Sequence, residues 1–326
     1  MKAGTATLLH FNGEARRIVA SAGRISTTDG SALEVLQKSD GGEKDLRLIG
    51  KVLSSGHRSV LEHQMLSIAF DDVSVLVEQF AIEFRLASFT VKSRRYVDFS
   101  GAGFVLPEGA PEGFAARMEA LFALYGRLLS LGVPREDARF VLPYCFRSNF
   151  YMTLNAREFV HMVRAMLYGR GSRWAEIRAL GASLKEQFEL VYPGMVGEGE
   201  AEAFADDAPI FQNGRAVSGS ARLLSRPDCG PLLEMAAKFA GEENRPESLL
   251  NAERPRALEL LNFVFGVRDV SLACVTHFAR HRMQSPLFMP TLDALARGNY
   301  VLPETVAAIP EAREAYEAAF REQADF

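Results

Sequence analysis

Arg280, His281 and Arg282 stand together in the run RHRMQS, where a helical pattern ends. Two guanidinium groups beside an imidazole make a dense set of charge-assisted donors, suited to a phosphate or an electron-rich ring. A solvated basic helix end, favoured by the helix dipole, would use the same residues. His277 precedes His281 by four positions, a spacing that can serve zinc, but no Glu follows the first His and no third ligand is evident. A second group lies in GHRSVLEH, where His57, Ser59 and Glu62 fall between a helix end and a strand. Such loops often place ligand groups, although Ser59 and Glu62 also have the spacing of a capping box. The third group is ARFVLP followed by NAREFVH. Arg139 ends a loop ahead of a strand, and Arg157 and His161 share one helical face, which could also be plain surface.

These groups need rigid elements to hold them. In GEKDLRLIGKVLSSG, Leu46, Ile49 and Leu53 line one side of a helix that Gly56 can stop. The alternation of Leu66, Ile68 and Phe70 predicts a half-buried strand. From about Val73 a helix should follow with Val77, Phe80, Ala81 and Phe84 inward. A long amphipathic helix runs through PEGFAARMEALFALYGRLLSLG to Gly132. FYMTL reads as a short strand leading to Asn155, an N-cap for the helix NAREFVHMVRAML. Helical sequence resumes in WAEIRALGASLKEQFELV, and the acidic, small-residue stretch VGEGEAEAFADDAP reads as a linker.

The chain also repeats itself. Leu61–Arg85 (LEHQMLSIAFDDVSVLVEQFAIEFR) aligns without a gap on Leu258–Arg282 (LELLNFVFGVRDVSLACVTHFARHR). Glu62 then falls on Glu259, Ser74 on Ser271, and Leu66 and Ile68 on Phe263 and Phe265. FVLP at Phe104–Pro107 returns as YVLP at Tyr300–Pro303. The expectation is a duplication: a complete unit over residues 1–196, a linker over 197–208, and a second unit over 209–326 that stops inside its own long helix.

GHRSVLEH, DVSVLVEQFAIEFRLASFTVKSRRY, ARFVLP, NAREFVH and AEIR occur in that order, and the ordered set resembles the flavin-dependent thymidylate synthases. The likeness covers roughly residues 5–193 and again about 210–310. It implies an α/β (α+β) fold, a mixed sheet flanked by long helices, present once in full and once in part. It implies FAD as cofactor, with NADPH and methylenetetrahydrofolate, and the conversion of dUMP to dTMP; the flavin carries the redox chemistry. On the family's pattern, Arg280, His281, Arg282, His57, Ser59, Asn155, Arg157 and His161 would hold the flavin. Ser93, Arg95, Arg139 and His277 would hold the nucleotide. For the arginine that polarises the uracil ring, Met166 or Tyr168 falls at the counted position, and Arg164 or Arg170 could substitute; Arg170 is carried forward.

The two units depart from the pattern in opposite ways. The first has Glu83, Phe84 and Arg85 where Arg-His-Arg belongs, Phe80 for a Gln and Val91 for a Glu, yet keeps Ser93 and Arg95. The second keeps Arg280, His281 and Arg282, with His277 in place of the Gln. It has Phe288, Pro290 and Leu292 where Glu, Ser and Arg belong, and Arg254 and Arg256 where a His and a Ser belong. In the family the site lies between subunits of a homotetramer, so the expectation is a composite site built from both units, in a homo-oligomer of duplicated chains. Two alternatives stand: a relative that transfers a methyl or hydroxymethyl group to another pyrimidine nucleotide, and a catalytically inactive flavin- or nucleotide-binding assembly subunit.

Composition sets outer limits. The 326 residues are 48% hydrophobic with a formal net charge of −4, ordinary for a globular chain and unlike a basic nucleic-acid binder. Cys145, Cys229 and Cys274 are far apart and form no CxxC pair, which argues against a disulfide framework or structural zinc. The chain opens without a signal-peptide pattern and has no run of transmembrane length, so the expected setting is the cytoplasm.

Overall fold

The computed structural model describes residues 3–9, 11, 14–201, 214–240, 249, 255–281, 284–288 and 297–324. Its central strand, β2 (Met65–Ser74), carries the predicted alternation, with Leu66, Ile68 and Phe70 buried. β1 (Thr5–Leu9) lies along one edge of β2 and β4 (Arg147–Asn155) along the other; β3 (Ala87–Val91) completes the order β1-β2-β4-β3. Every pairing in this sheet is antiparallel, so the sheet expected to be mixed is antiparallel instead. Side-chain alternation is the same in both arrangements, and strand direction is set by the connections.

One face of the sheet is covered by helices with long apolar stripes. α1 (Ala15–Arg24), α3 (Glu43–Ser54), α7 (Ala156–Leu167) and α8 (Ala175–Glu189) share a core with β2 that includes Val19, Ile49, Phe159, Leu184 and Phe188. A short α2 (Ala32–Gln37) carries a full capping box, Ser31 with Glu34. The anticipated stop at Gly56 is present, with φ +89°. A tight 3-10 helix over Arg58–His63 then leads into β2, followed by α4 (Val75–Ile82) with Ser74 as its N-cap.

A second core joins the two halves of the chain. α5 (Phe114–Ser130) and α6 (Arg135–Ala138) of the first half meet α11 (Glu304–Ala307) and α12 (Pro310–Ala324), and Tyr125, Leu128, Val141 and Phe146 pack with Val306, Ala312 and Tyr316. Arg127 pairs with Glu311 at 2.7 Å and Arg117 with Glu322 at 2.9 Å along the same seam.

The second half contains β5 (Ser220–Ser225), α9 (Cys229–Ala240), a 3-10 turn at Pro255–Leu260, β6 (Val264–Arg268) and α10 (Leu272–Arg280). β5 pairs with β6 antiparallel, Ser220 opposite Arg268, as Thr5 stands opposite Asp71. Asp72 and Asp269 both take the uncommon φ of 55° just before their helices. Ser74 and Ser271 both cap with their hydroxyls. Burial differs: Ile68 is 0% exposed and Phe265 58%. α7, α8 and β4 cover Ile68, and no described element plays that part on β6.

The stretch expected to be a linker is tethered at its start. Arg164 donates to the Val196 carbonyl at 2.8 Å and Lys185 pairs with Glu198 at 2.6 Å. Residues 202–213 lie outside the described residues.

Candidate functional site

The loop after β3 sends two neighbouring arginines in opposite directions. Arg94 turns inward to the Glu78 carboxylate at 2.5 Å; Glu78 is almost fully buried on α4 and also accepts from Ser148 at 3.1 Å. Arg95 turns outward to Glu136 at 3.0 Å. The Ser93 hydroxyl accepts the Arg95 backbone N–H at 3.2 Å, which folds the turn. Arg139 approaches from the end of α6 and donates through Nε to the Glu136 carbonyl at 2.8 Å. Burial, and then Arg94 nearby, push the Arg139 guanidinium below its ordinary value. Thus Arg95 and Arg139 both bond to Glu136, and Ser93 folds the turn that carries Arg95.

The second half reaches the same place through α10. α10 packs on α4, and the Thr276 hydroxyl donates to Gln79 Oε1 at 2.8 Å. Positions 79 and 276 correspond in the repeat, so the two helices meet at equivalent points, as in an isologous contact. The last turn of α10 carries His277 and Arg280, with His281 as C-cap. Arg280 Nη2 lies 3.2 Å from His277 Nδ1. The exposed imidazole is held below its ordinary value by partial desolvation, and then by Arg280, Arg139, His281 and Arg95. That set of neighbours joins Arg95 and Arg139 of the first half to His277, Arg280 and His281 of the second. Among the described residues neither Arg139 nor Arg280 carries a carboxylate partner. Arg282, the third member of the sequence motif, and Arg254 lie outside the described residues.

The remaining candidates form a separate group. His57 precedes the 3-10 helix and Ser59 sits within it, both exposed. The capping box open to Ser59 is not formed, because Glu62 reaches across to Arg157 at 2.6 Å. Asn155 caps α7, its side-chain oxygen accepting the Glu158 N–H at 2.9 Å. His161, one turn on, lies 3.6 Å from Glu158 and meets the Phe84 ring edge-on at 5.4 Å. Beside that ring Arg170 pairs with Glu83 at 2.7 Å and stacks over Phe80 at 4.5 Å. Glu83, Phe80, Phe84 and Arg170 thereby form one packed cluster at the end of α4. No hydrogen bond, ion pair or ring contact among the described residues links this group to the α10 cluster.

Sequence reasoning missed Glu78, Arg94, Glu136, Gln79 and Thr276. One signal was available: Glu78 is a lone carboxylate in the apolar run VLVEQFAI, and a buried carboxylate needs a partner. An open concavity of about 520 Å³ beside α5 is lined by Leu106, Pro107, Pro111 and Phe114 among others; it carries no ionisable side chain.

The profile of the thymidylate synthase complementing protein family, Thy1, matches residues 7–194. A flavin-dependent thymidylate synthase of Geobacter sulfurreducens is 36% identical over 153 residues, 44% of this chain and 65% of that enzyme. The chain therefore spans just under two thirds of that relative's length. A flavin-dependent thymidylate synthase of Pyrococcus abyssi is 29% identical over 192 residues, covering 56% of this chain and 77% of that one. Among solved structures, a UMP/dUMP methylase, PolB, from Streptomyces cacaoi bound with 5-Br dUMP superposes with a TM-score of 0.50 at 23% identity. That match covers 60% of this chain and 94% of the other and establishes a shared fold.

Proposed function

The chain belongs to the flavin-dependent thymidylate synthase family, that of the thymidylate synthase complementing protein, and on that premise we propose that it forms dTMP from dUMP at a composite site built by both halves. The supporting observation is the packing of α10 on α4 through Thr276 and Gln79, which sets His277 and Arg280 where the charges of Arg139 and Arg95 act on the imidazole. Three arginines and two imidazoles, of which only Arg95 has a carboxylate partner among the described residues, suit a ligand carrying a phosphate. Ser93, Arg95 and Arg139 hold that phosphate, and His277 lies beside it. Arg280, half-buried beside His277, turns to that phosphate or to the flavin's anionic part, which the exposed His281, with Arg282, takes.

The second group, His57, Ser59, Asn155, Arg157 and His161, contacts the far side of the flavin and comes to the α10 cluster from a second copy of the chain. Its exposed imidazoles and hydroxyl fit a polar ring system, while Asn155 and Arg157 mainly keep α7 and the 3-10 helix in place. When bound, the flavin, once reduced by NADPH, would supply the hydride, and methylenetetrahydrofolate would supply the methylene. The chain's own residues orient the nucleotide and offset its charge. The Glu83–Arg170 pair over Phe80 and Phe84 closes the first unit's equivalent position, so each chain has one working site, and Arg170 is a plug there rather than the arginine that polarises uracil. Residues 1–196 and 209–326 are the two duplicated units.

The test is growth of a thymidine-requiring strain, together with flavin absorbance and dUMP calorimetry on the purified chain. Rescue by the wild-type chain and its loss in both Arg95→Ala and Arg280→Ala is the expected result. Rescue that survives both substitutions overturns the composite site. Flavin and dUMP binding without turnover identifies a non-catalytic assembly subunit.

A further inference from the structure

We propose that His277 is a proton-coupled latch on the anion site: when a phosphate group draws Arg280 away from the imidazole, His277 takes up a proton and becomes a further cationic contact. The inference rests on the nucleotide reading above and deepens it.

The geometry is specific. An arginine side chain has donors and no acceptor, so in the Arg280–His277 contact of 3.2 Å the guanidinium donates and Nδ1 accepts. The proton of the neutral ring is therefore on Nε2. Protonating Nδ1 would set two donors against each other, so Arg280 must leave first. A phosphate offers Arg280 a stronger, charge-assisted partner. Once Arg280 has turned, Nδ1 is free, and the anion's charge offsets the cations that keep the ring neutral. One proton then comes from solvent, Nδ1–H forms, and no other bond is made or broken.

The groups around His277 favour this sequence. From its own helix and cap come Arg280 and His281, from the end of α6 Arg139, and from the loop after β3 Arg95. α4, packed against α10, carries Glu78, already bound by Arg94, and ends at Glu83, bound by Arg170. Glu136 is bound by Arg95. Among the described residues these three carboxylates are engaged and Asp137 accepts from Thr305 at 2.6 Å, so an added anion is what can reverse the local balance. A glutamine at position 277 would accept from Arg280 as well but could not take the proton.

Two phosphate sources share this chemistry, a nucleoside monophosphate and the flavin's pyrophosphate, and the experiment separates them. The chain has six histidines, so His277 can be followed by NMR and assigned with His277→Gln. Its ring is titrated alone and with inorganic phosphate, dUMP, deoxyuridine or FAD. Calorimetry of dUMP at pH 7.5, in buffers of differing ionisation heat, counts protons taken up. At that pH the ligand's own phosphate, with a second ionisation near about 6, contributes little. The expected result is an upward move of the His277 midpoint with inorganic phosphate and with dUMP, none with deoxyuridine, and up to about one proton absorbed. His277→Gln absorbs none. Affinity for dUMP gains roughly tenfold for each unit the midpoint moves once pH lies below both midpoints.

A move with FAD and not with dUMP assigns the latch to the pyrophosphate. A midpoint that no phosphate compound moves, or one that deoxyuridine moves equally, overturns the proposal. If dUMP binds without proton uptake and FAD leaves the midpoint in place, the latch is wrong and the nucleotide site stands. If phosphate moves His277 and dUMP does not bind, the latch stands and the nucleotide reading falls.

Discussion

Replacing Glu78 by alanine tests whether the inward arginine anchors the outward one. Glu78 has 1% of its side chain exposed and Arg94 15%, and they meet at 2.5 Å. Removing one member of a buried pair costs about 3–5 kcal/mol, because the remaining charge is left without a partner. Arg94 keeps some contact with water and lies over the Phe146 ring at 5.4 Å, which favours the lower end. Ser148 loses its acceptor as well, for about 1 kcal/mol. Together these terms give about 4 kcal/mol, a fall in melting temperature of roughly 8–16 °C for a cooperative unit of this size. Urea titration and calorimetry measure both. The double variant Glu78→Leu, Arg94→Met leaves no buried charge and should regain most of the stability. It should not regain dUMP affinity, since the Arg94 tether that directs Arg95 toward Glu136 is gone. A loss under about 1 kcal/mol for Glu78→Ala, or a double variant no more stable than the single one, would refute the reasoning.

Asn155→Ala should cost about 1 kcal/mol in urea titrations, while Asn155→Asp, which keeps the cap acceptor, should stay close to wild type. A large loss of flavin binding in Asn155→Asp at unchanged stability would instead give Asn155 a direct ligand role. Arg170→Ala removes a half-exposed ion pair and a ring contact, so its stability cost is about 1 kcal/mol; turnover should persist, and a selective collapse of kcat would return Arg170 to the catalytic set. Burial pushes the Cys145 thiol up to about 11. At pH 8 its reactive thiolate is therefore scarce, and alkylation should run roughly 100-fold slower than for an unfolded cysteine, accelerating as pH rises. Equal rates in native and denatured protein would contradict that.

The long periodic elements were legible because burial on one face leaves a strong apolar pattern. α3, α5, α7 and α8 and the strand through Leu66, Ile68 and Phe70 appear where the sequence places them, and Gly132 ends α5 with φ +90°. β1 and β3 were not foreseen. Each is five residues long, on the edges of the sheet, with mixed burial, too little for a period to register. α1 and α2 also escaped: charged and small residues dilute the stripe of α1, and α2 is only six residues long. The basic residues of the site were found by motif, but their company was not. Glu136 lies 41 positions from Arg95, and Glu62 lies 95 positions from Arg157. Such pairs are made by topology, and no local spacing announces them.

The contact between Gln79 and Thr276 carries a consequence for how this interface can vary. In a symmetric self-association, any replacement at the axis appears on both sides at once and must be compatible with itself. Here the equivalent places hold different side chains, donor on one helix and acceptor on the other. Each can be exchanged singly, so charge, size and hydrogen-bond polarity along α4 and α10 are free to diverge as complements rather than as matched twins.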